Sequence, residues 1–132
     1  VNNLLSIRIA PIVHMIIGLP GETISDYTAT AKYIAQSGAS GIKISLLHIL
    51  KDTDLYTDYC NGLFNAMTIE DYLYAIGAIL PVLPENMVVH RLTGDGPKNI
   101  LAAPLWTTDK KRVLNTLHHY LKENKIYQGK DL

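Results

Sequence analysis

The sequence is short of cysteine, of net charge and of long apolar runs, and each shortage closes off a class of function. One cysteine, Cys60, in 132 residues excludes an internal disulfide framework. It suits a reducing compartment, so a cytoplasmic location is expected. Twelve basic and twelve acidic residues cancel, leaving no net field to steer the chain onto nucleic acid or anionic lipid. No apolar run reaches the ~18 residues of a membrane span, and no secretory signal pattern opens the chain. Neither nucleic acid nor membrane is therefore expected as a partner. Internal repeats, low-complexity tracts and linkers are also missing. The chain starts at Val1 rather than methionine, which raises the expectation that it is cut from something longer. What is present is a 48% hydrophobic composition, ample for the core of a single domain over residues 1–132.

Three apolar runs alternate with stretches of helical spacing. The runs are Ile12 to Ile17, Ile42 to Leu50 and Met87 to Leu92, rich in Ile, Val and Leu as buried strands are. Ile24, Tyr27, Ala31, Ile34 and Ala35 recur as one helix face, with Gly38 as its stop. A short helix is expected around Leu55 to Cys60. Thr68-Ile69-Glu70-Asp71 reads as a capping box opening a third helix, which Pro81 ends. Val113, Leu114, Leu117 and Leu121 mark a last helix, expected to start near Thr107 or Thr108. The alternation predicts an α/β fold of consecutive right-handed βα units on a parallel sheet. Three strands are few and leave open edges, so the units read as an arc of a barrel rather than a closed one.

Strand parity assigns the faces. Ile42, Ile44 and Leu46 belong under the helices, while Lys43, Ser45 and Leu47 face the other way, toward the barrel interior. His14, Ile16 and Gly18 are expected on that same open face, with Val89 as a further candidate. In the third run His90 and Arg91 fall on opposite faces, so one of two polar residues is expected where burial is costly. Ligands of α/β folds collect at the C-terminal ends of strands. Those ends are the turn from Gly18 to Glu22, the stretch from Leu47 to Lys51, and the turn from Arg91 to Gly96.

Rival readings of these residues are weaker. The Gly18 to Glu22 turn lacks the G-x-x-x-x-G-K-[ST] pattern of a phosphate loop, and Glu22 would repel the anion. His14, His48 and His90 fall at different strand levels, so no shared metal is expected from them. His118 and His119 point apart on a helix. Cys60 sits in nothing resembling a catalytic turn, and Asp95, a conceivable general base beside His90 or His48, is in a sequence typical of turn geometry. The tyrosines at 56, 59, 72 and 74 read as helix packing.

The stretch from His14 to Glu22, followed by "GIKISLLHIL" and "VVHRLTGDGP", resembles the C-terminal half of a radical S-adenosylmethionine (SAM) protein. The resemblance is to the YhcC-like branch of iron–sulfur oxidoreductases and runs through nearly the whole chain. It implies about half of a TIM-like partial (β/α)6 barrel. The family's GxIxGxxE strand motif maps loosely onto His14 to Glu22: Ile16 and Gly18 match, His14 replaces the first glycine, and Glu22 comes one residue late. By that resemblance Ile16, Gly18 and Leu47 would line the adenine side of SAM. Strand parity and strand ends make Lys43, Ser45, His48, His90, Arg91, Thr93 and Asp95 the expected substrate-facing set, and the last four also match a signature of the branch that carries no assigned role. The family's four-iron four-sulfur cluster hangs on a CxxxCxxC loop, and one cysteine cannot supply three thiolates. Cluster and SAM are therefore expected in a full-length parent, with neither bound by this chain and no metal site of its own.

Two classes of function follow. In one, the chain is the C-terminal part of a radical SAM enzyme, inactive alone, whose partner is the missing N-terminal half and which self-associates as a homodimer in isolation. In the other, it is a self-sufficient small-molecule-binding or interaction module that reuses the half-barrel.

Overall fold

Every apolar run in the sequence ends in a parallel sheet, though not over its whole length. The computed structural model describes residues 3, 6, 7, 9–93 and 98–132. Strand β1 (Ile12–Ile17) pairs with β2 (Gly41–Leu46), which pairs with β4 (Val88–Arg91), all parallel. Helix α1 (Ile24–Gln36) joins the first two strands. Helices α2 (Asp54–Cys60) and α3 (Ile69–Ile79) lie between β2 and β4, and α4 (Lys110–Glu123) follows. Among the described residues no helix is long and apolar enough to cross a membrane.

Local chemistry explains the helix ends. The Thr23 amide donates to the Asp26 carboxylate at 2.7 Å, which holds the first turn of α1. The Thr53, Thr68 and Asp109 side chains accept from the amides of Tyr56, Asp71 and Arg112, opening α2, α3 and α4. α3 runs into a 3₁₀ turn, Leu80–Val82, at Pro81. Asp109 also corrects the expected start of the last helix. Thr107 and Thr108 lie in a separate 3₁₀ turn, Leu105–Thr108, and the carboxylate cap sets the helix start at Lys110.

The second apolar run is likewise not one strand. β2 stops at Leu46, and Ile49–Leu50 forms β3, which pairs antiparallel with β5 (Leu101–Ala103). This small second sheet was not anticipated, because a continuous apolar run hides the break at Leu47 and His48.

One face of the parallel sheet is the core. Met15 and Ile17 of β1 and Ile42, Ile44 and Leu46 of β2 are buried there with Tyr27, Ala31 and Ile34 of α1 and Tyr72, Ala75, Ile76 and Ile79 of α3. Val113 and Leu117 bring in α4. Gly77 permits that approach, since a Cβ there would lie 3.1 Å from both Tyr120 and Ile126. The C-terminal segment fastens the far end of the sheet: the Gln128 amide donates to the carbonyls of both Pro84 and Met87, and the Asp131 amide donates to Pro81. The other face is the more exposed one. Ile12 and Ile16 are 43% and 48% exposed, and Val88 is 54% exposed.

A bulge settles the ambiguity in β4. Val88 pairs with Gly41 and Val89 with Ile42, but Arg91 pairs with Lys43, so His90 is an extra residue. His90 and Arg91 are both exposed, and Leu92 packs against the core. Neither polar side chain is buried, contrary to what strict alternation predicts. The same register corrects Val89. Paired with Ile42, it is half-buried against the core, and Val88 takes its expected place on the open face.

Candidate functional site

The parallel register turns the open face into a ladder of rungs. Ile12 is level with Gly41 and Val88; His14 is level with Lys43 and Arg91; Ile16 is level with Ser45. Beyond the strand ends Gly18 borders a crevice with Tyr27, Met67 and Asp71, and the Leu47 amide still donates to the Ile17 carbonyl at 2.9 Å. Leu47 therefore offers a ligand its side chain and carbonyl rather than its amide. The register thus puts Ile16, Lys43, Ser45 and Arg91 on one face, and the His90 ring lies over Gly41 there.

Two features fix this surface. Gly18 has φ +89°, a conformation glycine adopts without strain, and its amide donates to the Tyr27 hydroxyl at 3.0 Å. Burial pushes the Tyr27 phenol above its usual pKa, the Gly18 bond pulls it back, and the Glu22, Asp26 and Asp71 carboxylates raise it further. Lower on the face, the His90 imidazole lies over Gly41. A Cβ on Gly41 would come within 2.7 Å of His90 Cδ2 and Nε2.

His48 and Thr93 are elsewhere. Thr93 lines a narrow crevice with Leu46, Tyr72, Trp106, Lys110 and Val113, on the side covered by α4. His48 is half-buried; burial pushes its pKa below the usual value, a hydrogen bond to the Leu46 backbone raises it, and the Lys110 ammonium lowers it. Among the described residues its buried Nε2 has no hydrogen-bond partner. Lys110 ties His48 to the same α4-covered side rather than to Lys43 and Ser45. Asp95 lies outside the described residues.

Sequence reading assigned no role to two groups that shape the rim. Residues 64–67 face the Gly18 to Glu22 turn across a crevice of about 220 Å³, whose walls also include Tyr27 and Asp71. Trp106 stacks on Tyr72 at 5.3 Å between ring centroids, and its indole N–H donates to the Met67 carbonyl at 3.0 Å, anchoring that segment. The buried Tyr72 hydroxyl in turn donates to the Leu92 carbonyl at 2.8 Å, and burial pushes its pKa far up. A lone tryptophan a few residues ahead of a helix was the available signal.

The surface fits the two implied cofactor groups unequally. Ile16, 48% exposed, and the half-buried Leu47 are apolar side chains of the kind that suits one side of a purine ring. The iron–sulfur cluster has no such fit, because Cys60 is the single cysteine and stands exposed on α2. Among the described residues no three His, Cys, Asp or Glu side chains converge as a metal site.

Residues 39–123 match the model of the Radical_SAM C-terminal domain. The chain is 38% identical over 130 residues to the protein YtqA of Bacillus subtilis, covering 98% of this chain and 40% of that protein. It is 31% identical over 119 residues to YhcC of Escherichia coli, covering 90% of this chain and 38% of that protein. It thus spans well under half the length of these relatives. Its fold matches Elp3 of the archaeon Methanocaldococcus infernus, in a form with an N-terminal deletion. That match has a TM-score of 0.77 and 17% identity over 95% of this chain and 29% of that one. With more than half its length matched by the family model, the chain belongs to the radical SAM C-terminal domain family, in the YhcC branch.

Proposed function

We propose that this chain is the C-terminal part of a radical SAM catalytic domain, an arc of about half of its partial barrel, and that it builds the adenine side of the SAM site. Ile16 and Leu47 give the ring an apolar shelf, Gly18 gives it close access to backbone, and Lys43, Ser45, His90 and Arg91 face substrate below. SAM, held at a cluster, supplies radical chemistry in such enzymes. The cysteines for that cluster belong to an N-terminal partner segment, without which this chain is inactive. The observation that carries the reading is that Ile16 is an exposed apolar residue near the C-terminal end of β1, with Gly18 and Leu47 just beyond the paired ends of β1 and β2.

Adenosine tests it. In an amide-resolved NMR titration, adenosine and SAM shift residues 16–18 and Leu47 with about millimolar affinity, because a one-sided shelf recovers only ~4 kcal/mol. No shift at those positions at about 10 mM ligand overturns the reading. Micromolar SAM binding would show that the site is complete without another segment.

A further inference from the structure

Between α1, the 3₁₀ turn that follows α3 and the C-terminal segment lies a groove of about 530 Å³, a size that suits a small molecule. Lys32, Ala35 and Gln36 form its α1 wall and are spaced to share one face of that helix. Ala78 and Val82, one helical turn apart, supply apolar surface from α3 and the turn. Being only methyl groups, the side chains of Ala35 and Ala78 leave the groove unfilled. Asp131 borders it from the C-terminal segment, which the Gly129 and Asp131 amides fasten to the carbonyls of Leu80 and Pro81 at 3.3 and 3.0 Å. One ammonium and one carboxylate thus line the groove from different elements. Among the described residues these two side chains pair neither with each other nor with any other group. Each is therefore left to solvent or to a ligand.

We infer that this groove binds a free α-amino acid with an apolar side chain. Its carboxylate meets the Lys32 ammonium and the Gln36 amide, its ammonium meets the Asp131 carboxylate, and its side chain covers Ala35, Ala78 and Val82. Hydrogen bonds to ionised groups are the stronger class, and a zwitterion is the small ligand that satisfies both walls at once. A plain acid or amine leaves one wall unmet. Lys32 and Asp131 are both exposed, and water weakens exposed ion pairs, so the affinity is modest. Discrimination comes from needing both charges and the apolar part together. The groove is on the helix-covered side of the sheet, away from Ile16 and Lys43, and the inference does not rest on the proposed SAM site.

An amide-resolved NMR titration of this chain with leucine, at constant ionic strength, tests the site. Leucine is expected to shift residues 32–36, 78–82 and 131 saturably, with about millimolar affinity. Isocaproate and isopentylamine keep the branched chain but carry one charge each, and both are expected to bind more weakly than leucine. Lys32→Gln is expected to weaken leucine by about threefold or more and to leave isopentylamine unchanged. Asp131→Asn is expected to weaken leucine to the same degree and to leave isocaproate unchanged. Lys122→Gln, which removes a charge from the end of α4, leaves leucine binding as it was. No saturable shift below about 10 mM leucine overturns the proposal. So does isocaproate or isopentylamine binding as tightly as leucine, or an equal loss in Lys32→Gln and Lys122→Gln, which would mean a response to net charge alone. These substitutions are on the surface, so the test does not depend on a variant with an altered core.

Discussion

The Tyr27 hydroxyl, carried on α1, accepts a hydrogen bond from the Gly18 amide at 3.0 Å and so pins the turn at the end of β1 to the helix that follows it. Tyr27→Phe keeps the buried ring but leaves that amide without its partner. A loss of about 1–2 kcal/mol is expected in urea unfolding, with broadened amide signals confined to residues 18–22. An unchanged midpoint would mean that the turn holds itself.

Tyr27 and Tyr72 both have phenol pKa values raised in the fold, each chiefly by burial. The folded chain therefore holds these protons more tightly than the unfolded one. Their contribution is whole below pH ~10 and declines as pH rises further, because the unfolded chain ionises first. Urea midpoints should fall above that pH. Tyr72→Phe should be less stable near neutrality by about 1 kcal/mol, from the lost bond to Leu92, yet show a shallower alkaline decline. An equal slope in the variant would contradict the assignment.

His48 works in the opposite direction. Its pKa is lowered in the fold, chiefly by burial. The unfolded chain takes up this proton first, so stability is whole above pH ~6.5 and declines as pH falls below it. His48→Gln is expected to lose part of that acid sensitivity. An NMR titration placing the imidazole at or above the usual histidine value would overturn this.

Gly41→Ala drives a methyl group into the His90 ring and to 3.1 Å from the Val88 carbonyl. A cost of about 1–2 kcal/mol is expected. Most of it should return in the double variant with His90→Ala, since the ring makes the closer contact. Failure of the double variant to recover would put the strain in the backbone instead.

β1 forms one edge of the parallel sheet among the described residues, with Ile12 and Ile16 exposed along it. An unpaired edge accepts another strand. Two copies of the isolated chain are expected to associate along β1 in a two-fold dimer. Light scattering at low micromolar concentration should give the mass of two chains, and Ile16→Lys should shift it toward one. A single-chain mass for the unaltered protein would refute the dimer.

The core face was legible in the sequence because parity and burial obey one rule: Ile42, Ile44 and Leu46 alternate with Lys43 and Ser45, and the sheet buries the first set. The helix starts were legible wherever a cap residue preceded an apolar stripe, as at Thr68. Asp109 escaped notice because Thr107 and Thr108 offered rival caps nearer the chain's last turn. β5 was hidden for a different reason. Two residue pairs across about fifty positions of sequence leave no periodicity to read. The levels of the open face were not foreseen, since they depend on inter-strand register, which no single strand encodes. His48 and Thr93 were assigned by nearness to strand ends, and nearness does not say to which side a loop residue turns.

The bulge in β4 behaves like an inserted letter that leaves the reading frame intact. Because His90 is supernumerary, Arg91 and Leu92 are in the phase they would have in an uninterrupted strand, one outward against Lys43 and the other against the core. Removing His90 altogether would leave every other side chain of β4 on its present side. The fold therefore does not need this residue for its geometry, and the sheet carries it at the expense of a regular ladder. What the extra residue adds is an imidazole lying over Gly41, in a strand that otherwise presents only Val88 and Arg91 to that face.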